Sequence, residues 1–448
     1  MTKRAAMTYS EDRPAWPARP QAYRALALLF LAYVLSFIDR VILSILIRPI
    51  STELHLSDTQ FAMVGGVAFA IFYVTMGLPI GWLADRAPRR LIVAGGVGLW
   101  SLCTIASGLA TSFGALFAAR VGVGIGEAAL APAAYSLIAD LFRPEQRGRA
   151  VAFYTLGATV GSSIAYFAGG LLIGFASRHG AVALPVLGEL APWRFVFAAA
   201  GAPGLILAAA MLTMREPSRR QDAVQSAGQS AASGGFLPFL KARRAVSLTY
   251  ILGYSCINLP FAGFLLWGPG LFDRVHGLSP AQLGLPLAVL FLVPTTLGQW
   301  GGASMTDRLV ASGRADAAFT TAALCGALLV PVAIAMPLLP SATAALGALG
   351  LLLFLTCASV GHHAVVATLV APNRLRGLYV ALFFFVQNVL GQAIIALITA
   401  GLTDDVFASP DAIGKSMAIV GGVGAALGTV LLALGRGALR RAAASPYS

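Results

Sequence analysis

Apolar runs dominate the chain. Twelve of them, separated by short polar segments, fall at roughly 23–47, 59–81, 90–110, 113–139, 146–176, 193–214, 246–271, 280–304, 316–338, 343–370, 374–401 and 412–435. A helical run of about 20 residues crosses ~30 Å of hydrocarbon. Inside lipid only helices and closed barrels satisfy their own backbone groups. The runs are continuous rather than alternating, which excludes the period-two pattern of barrel strands. The pattern predicts an all-α integral membrane protein of twelve transmembrane helices.

Composition agrees: 58% of residues are hydrophobic and 11% charged, too few charges to cover a soluble surface. The net charge of +13 raises the possibility of a nucleic-acid partner, but the placement of the charges argues against one. With the N-terminus inside, 24 of the 31 lysines and arginines fall on the cytoplasmic side, five of them at or ahead of the first run. The opposite side holds Arg48, Arg178, Arg194, Arg274 and Lys415. This asymmetry predicts that both termini are cytoplasmic. The first run is too long for a signal-peptide core and lacks a small-residue cleavage site. Cys103, Cys256, Cys325 and Cys357 all lie in apolar runs and read as packing residues; no metal-ligand spacing accompanies them.

Polar segments divide the chain into a basic, disordered N-terminus (1–22), a six-helix bundle (23–215), a Ser/Gly/Gln-rich linker (216–242), a second six-helix bundle (243–436) and a tail (437–448). The halves echo one another. SFIDR at 36–40 matches SCINL at 255–259, ADR at 84–86 matches TDR at 306–308, and RG at 147–148 matches RG at 376–377. Three matches in order, at nearly constant offset, point to a duplicated unit.

Two stretches carry candidate chemistry. After the second run, Gly81, Asp85, Arg86 and Arg89 form a turn in which glycine admits a neighbouring helix, aspartate answers a helix N-terminus and the arginines anchor at the membrane face. Asp307 and Arg308 repeat a shorter form after the eighth run, so the two stations read as a gate. The fourth run contains Arg120, Gly122, Gly124, Gly126, Glu127 and Pro132. Arg120 and Glu127, seven residues apart, share a helix face. A lone charge at that depth costs at least ~2.5–3.5 kcal/mol, so both are expected to face a cavity. Asp39 and Arg40 lie at comparable depth in the first run, and the four charges sum to zero.

The 81–90 turn, the Arg120–Pro132 pattern, the six-plus-six layout and the central linker resemble the major facilitator superfamily. Ser36-Phe-Ile-Asp39-Arg40, Gly126-Glu127-Ala, the Trp193/Arg194/Phe197/Gly204 spacing and Arg374-Leu-Arg376-Gly377 resemble its Spinster-like branch. That resemblance implies a secondary transporter whose first and fourth helices line a central cavity, and a substrate class of lysophospholipids and sphingoid phosphates. Proton-driven drug antiporters of the superfamily carry a GPxxGG stretch in the fifth helix. Here Ser162 follows Gly161 and no proline appears, so the chain departs from them.

The buried charges read as a proton switch. Burial raises a carboxylate's proton affinity and a nearby arginine lowers it, so a partner exchanged between conformations couples protons to alternating access. Asp39 and Glu127 are the candidate proton acceptors, Arg120 sets their affinity, and Arg40 is a second partner or an anion ligand. Asn258 stands at the station of Asp39 in the second half, where His362 and His363 are the deeply placed titratable groups. Tyr33, Phe37, Asn258, His362, Gln387 and Asn388 are candidate substrate contacts, with Gln299 and Gln392 as further amides. Charges in one half and an apolar, amide-bearing wall in the other suit an amphipathic or organic anionic solute. A drug or organic-acid transporter, or a non-transporting sensor, is the alternative. GVGIGE at 122–127 lies within a span with no preceding strand, so a dinucleotide site is excluded, and no Walker motif occurs. The sequence thus predicts a non-enzymatic, cofactor-free monomer in the cell (inner) membrane, surrounded by lipid and handling protons and a small-molecule or lipid-like substrate.

Overall fold

The computed structural model describes residues 16–179, 182–184, 188–219, 235–361 and 363–444. Twelve helices are long and apolar enough to cross a membrane: Arg19–Ile45, Asp58–Gly77, Arg89–Gly108, Phe113–Leu141, Pro144–Phe175, Pro192–Leu212, Arg244–His276, Pro280–Ala311, Ala317–Leu338, Ala342–Val370, Leu375–Val406 and Pro410–Ala444. They are numbered below as spans one to twelve. The expected twelve-helix architecture is therefore present. An unexpected antiparallel strand pair, Val182–Leu184 with Gly188–Leu190, lies between spans five and six.

Helix ends reach beyond the apolar runs. Span one begins at Arg19, with a proline in its first turn, where the missing N–H costs nothing. Span twelve continues to Ala444. The segments 1–22 and 437–448, expected outside the bundles, thus each yield a few residues to helix. Most of the first, like the linker residues 220–234, lies outside the described residues, as does His362.

Prolines break several spans at points that matter later. Span four is two helices, Phe113–Glu127 and Leu130–Leu141. Pro132 has no N–H to offer the carbonyl of residue 128, so the ladder opens immediately after Glu127. Span seven breaks at Asn258, between Arg244–Ile257 and Leu259–His276, where Pro260 does the same to residue 256. Two π-helical turns, Met63–Val67 in span two and Val389–Ile394 in span eleven, face one another across the two halves. Such turns widen a helix by one residue and recur at functional sites.

Within the first half, span three packs on span six and span one on span five; in the second, span nine packs on twelve and eight on ten. Gly96 and Gly126 let spans three and four touch backbone to backbone: a Cβ on Gly96 would stand 2.7 Å from the carbonyl of Gly126. The halves meet through span five on eight, one on seven and two on eleven.

Ion pairs between halves sit at one end of the molecule. Opposite the termini, Arg48 bonds Asp273 at 2.9 Å and Arg274 grips both oxygens of Asp58 at 2.5 Å. Asp404 accepts from the amide and hydroxyl of Thr59, each at 2.8 Å. At the termini end the ion pairs among the described residues stay within a half: Arg89 with Asp140 and Glu216, and Asp316 with Arg436 and Arg440. Among the described residues, the ion pairs that latch the halves together therefore gather at the end opposite the termini.

Gly66 sits in the contact between the π-turns of spans two and eleven, inward of that latch, and a Cβ there would collide with the carbonyl of Gln392 and touch Ala396. A Gly66→Leu variant should loosen the latched end. Labelling of a cysteine placed at Thr59 by a membrane-impermeant maleimide should then rise several-fold; unchanged labelling would show that the contact does not hold the halves.

Candidate functional site

Span one presents Ser36, Asp39 and Arg40 on successive turns toward span four, which presents Arg120 and Glu127 in return. The four charged residues form two separate pairs. Asp39 Oδ2 accepts from Arg120 Nη1 at 2.7 Å, and its Oδ1 accepts a short bond from the Thr104 hydroxyl. Glu127 Oε2 accepts from Arg40 Nε at 2.8 Å and Nη2 at 2.6 Å, and from Ser36 Oγ at 2.6 Å. Asp39, Arg120 and Glu127 are at most 3% exposed. Both pairs bridge spans one and four. Glu127 occupies the last helical residue before the break set by Pro132, so its side chain projects from an interrupted ladder.

Sequence reasoning expected Arg120 to govern both carboxylates. In the structure Arg40 holds Glu127 instead, because it lies one position on from Asp39 and turns toward the other end of the pair. Its guanidinium is also enclosed by Phe37, Phe69 and Tyr73, with ring centroids 5.0, 4.5 and 5.1 Å away, a stacking arrangement that favours a delocalised cation. Tyr33 extends this wall, stacked on Tyr154 at 4.7 Å and edge-on to Phe37 at 5.1 Å.

Between the halves lies a cavity of about 40 Å³, room for roughly one water molecule. Arg40, Phe69 and Arg120 line it from the first half and Trp267 and Gln392 from the second. Trp267 Nε1 and Arg120 Nε, both buried, have no protein partner, and neither does Glu127 Oε1. The charged side chains on the cavity wall are arginines; their carboxylates stand behind them.

The other candidates are distributed differently. Asn258 marks the break in span seven and is partly exposed. Asn388 donates to the Phe384 carbonyl and accepts from Gln392 at 2.5 Å, so it orients Gln392 toward the cavity wall. Gln387 is partly exposed one residue away. His363 meets Tyr250 at 3.3 Å, nearer the termini.

At the gate stations, Arg89 is buried against Asp140, Ser136, Glu216 and the Pro217 carbonyl. Gly81 precedes the turn, whereas Asp85, Arg86, Asp307 and Arg308 are exposed. Arg219 caps the turn by donating to the carbonyls of Ala84 and Ala87 at 2.9 Å and to that of Asp85. Asp140, Glu216 and the latch residues are not singled out by the sequence; Asp140, an acid directly after the fourth apolar run, is the one detectable signal. Outside the spans, burial opposes ionisation of Asp316, but Arg436 and Arg440 outweigh it and hold its carboxyl below the usual range. Stability from that contact is therefore present above the ordinary aspartate pKa and lost as pH falls through the lowered one.

A twelve-helix bundle in two pseudo-equivalent halves, with a charged cavity between them closed from one end, defines a membrane transporter rather than an enzyme. The profile of the Major Facilitator Superfamily matches residues 29–396, and the chain belongs to that family. A major facilitator efflux pump of Mycolicibacterium smegmatis is 27% identical over 89% of this chain and 89% of its own length. A probable L-galactonate transporter of Escherichia coli is 30% identical over 65% of this chain and 63% of its own. Among solved structures, a bacterial homologue of the human lysosomal transporter Spinster, in an inward-facing and unoccupied conformation, superposes with a TM-score of 0.76 and 26% identity over 96% of this chain and 98% of that one. The Spinster-like resemblance in the sequence is thus matched by a Spinster-like fold.

The pairing is testable by double substitution. Arg120→Gln alone strands a buried carboxylate and should cost about 3–5 kcal/mol, read as a lower unfolding midpoint in detergent. Adding Asp39→Asn should restore most of the loss, whereas adding Glu127→Gln should not; the reverse outcome would reassign the pairs.

Proposed function

We propose that this protein is a proton-coupled secondary transporter of a small organic or amphipathic anion, working by alternating access. The observation that carries the reading is the neutral cluster of Asp39, Arg120, Arg40 and Glu127 behind a cavity whose charged wall is cationic. A monoanion entering that cavity adds one uncompensated charge to a buried site, at a cost of several kcal/mol. Protonation of Glu127 or Asp39 removes the imbalance. Anion and proton therefore favour one another's binding, and the coupling is reciprocal. Charge balance sets one proton for each negative charge carried.

In this reading Arg40 and Arg120 receive the anionic group, and Asp39 and Glu127 take up protons when the arginines turn toward it. Tyr33 and Phe37 accommodate apolar substrate parts, with Asn258, Gln387 and Asn388 on the facing wall. The positive-inside pattern supports cytoplasmic termini; on that reading the latched end is the outer gate and the conformation is inward-facing. Gly81, Asp85, Arg86 and Arg89, with Asp307 and Arg308, then form the cytoplasmic gate, whose residues meet the other half only after the cycle turns over.

Two substrate classes fit this reading. The name of the probable L-galactonate transporter favours a sugar acid, and the Spinster-like motifs of the sequence favour a lysolipid anion; both are acids whose charge the arginines can receive. Reconstituted uptake of labelled lysophosphatidylglycerol and galactonate separates them.

Asp39→Asn and Glu127→Gln should each reduce pH-gradient-driven transport in proteoliposomes by at least 100-fold, beyond the lowered unfolding midpoint that a stranded arginine partner also brings. Full activity in both would contradict the proton role. Asp85→Asn should slow turnover at unchanged substrate affinity; lost affinity with normal turnover would place Asp85 in the binding site instead.

A further inference from the structure

A second pocket, separate from the cavity between the halves, lies at the termini end where span seven begins and span twelve ends. A pocket of about 380 Å³ is lined there by Arg243, Arg244, Ala245, Val246, Arg441 and Ala442. Among the described residues no acidic side chain lines it. Asp316, just ahead of span nine, is committed to Arg436 and Arg440.

The backbone adds to the positive field. Arg244 opens the 14-residue helix Arg244–Ile257, whose N-terminus has no side-chain cap. Its first-turn amides belong to the residues that line the pocket, and helix N-termini attract anions through unpaired N–H groups and the helix dipole. Arg243 Nη1 donates to the Ala442 carbonyl at 3.1 Å, tying the two helices together beside the pocket. The site is thus a fixed concavity rather than a set of loose arginines.

The surroundings identify the source of the anion. Leu248 lies one helical turn into the membrane from Arg244, on the same face, and is 58% exposed. Leu434 stands two turns from Arg441 on its face of span twelve and is 76% exposed. Leu237, on the short helix Phe236–Ala242 that precedes span seven, is 69% exposed. Apolar surface therefore runs directly from the arginines into the hydrocarbon layer, as a headgroup with attached acyl chains requires.

We propose that this pocket binds the phosphate of an anionic phospholipid from the membrane leaflet on the side of the chain termini. The lipid would bridge the start of span seven and the end of span twelve and brace the second half.

The test is thermal unfolding of the full chain in nanodiscs of phosphatidylcholine, with and without phosphatidylglycerol. Phosphatidylglycerol should raise the unfolding midpoint by about 5 °C. Arg244→Gln/Arg441→Gln should lose that increment. Arg244→Lys/Arg441→Lys should keep part of it. Arg149→Gln/Arg314→Gln, which removes two exposed arginines elsewhere on the same face, should keep all of it. No increment in the wild type, equal loss in the Arg149/Arg314 control, or an equal increment from inorganic phosphate in phosphatidylcholine discs would each overturn the proposal. If the Arg→Gln pair does not fold, the wild-type, lysine and phosphate arms still decide it.

Discussion

The requirement that buried charge sum to zero organises the centre of this molecule. Two arginines and two carboxylates sit at the depth where one uncompensated charge would cost a substantial share of a protein's net stability. They are tolerated as two hydrogen-bonded pairs, each spanning helices one and four. Whatever enters the adjoining cavity must respect the same sum. In the proposed mechanism, the constraint that lets the helices carry charge is what links the solute to the proton.

Backbone features put those charges in place. Gly96 and Gly126 bring span three against span four closely enough for Thr104 to reach Asp39. Pro132 opens the ladder just beyond Glu127. The paired π-turns bring Gly66 against Gln392 across the halves, beside the cavity that Arg40 and Trp267 share. Around this centre the ion pairs between the halves, among the described residues, gather at the end opposite the termini. The polar latch at Arg48, Asp58, Asp273, Arg274 and Asp404 is built from residues in the end turns of the spans or just beyond them, where water lowers the cost of separating charges and reopening remains feasible.

Much of this was legible in the sequence, for definite reasons. Spans are set by the cost of polar groups in lipid, which composition reports directly. Asp39, Arg40, Arg120 and Glu127 stood out because they break apolar runs. Their partnership did not, because Asp39 and Arg40 are adjacent, and only side-chain direction decides which one meets Arg120. The latch residues were hidden for the opposite reason: charges between spans are ordinary, and only the fold shows that Asp58 and Arg274, 216 residues apart, meet. The π-turns left no signal beyond glycines, which helix packing already explained. Trp267 left no signal of its own, because one aromatic in an apolar run is ordinary and only the fold puts it on the cavity wall beside the arginines.

The most direct test of charge-balanced coupling is the dependence of transport on membrane potential. In proteoliposomes loaded with potassium, valinomycin imposes a potential without a pH difference. If one proton accompanies each monoanion, uptake of lysophosphatidylglycerol or galactonate, whichever is carried, will respond to a pH gradient and remain unchanged when a potential of either sign is imposed. Uptake that follows the potential and ignores the pH gradient would contradict the mechanism.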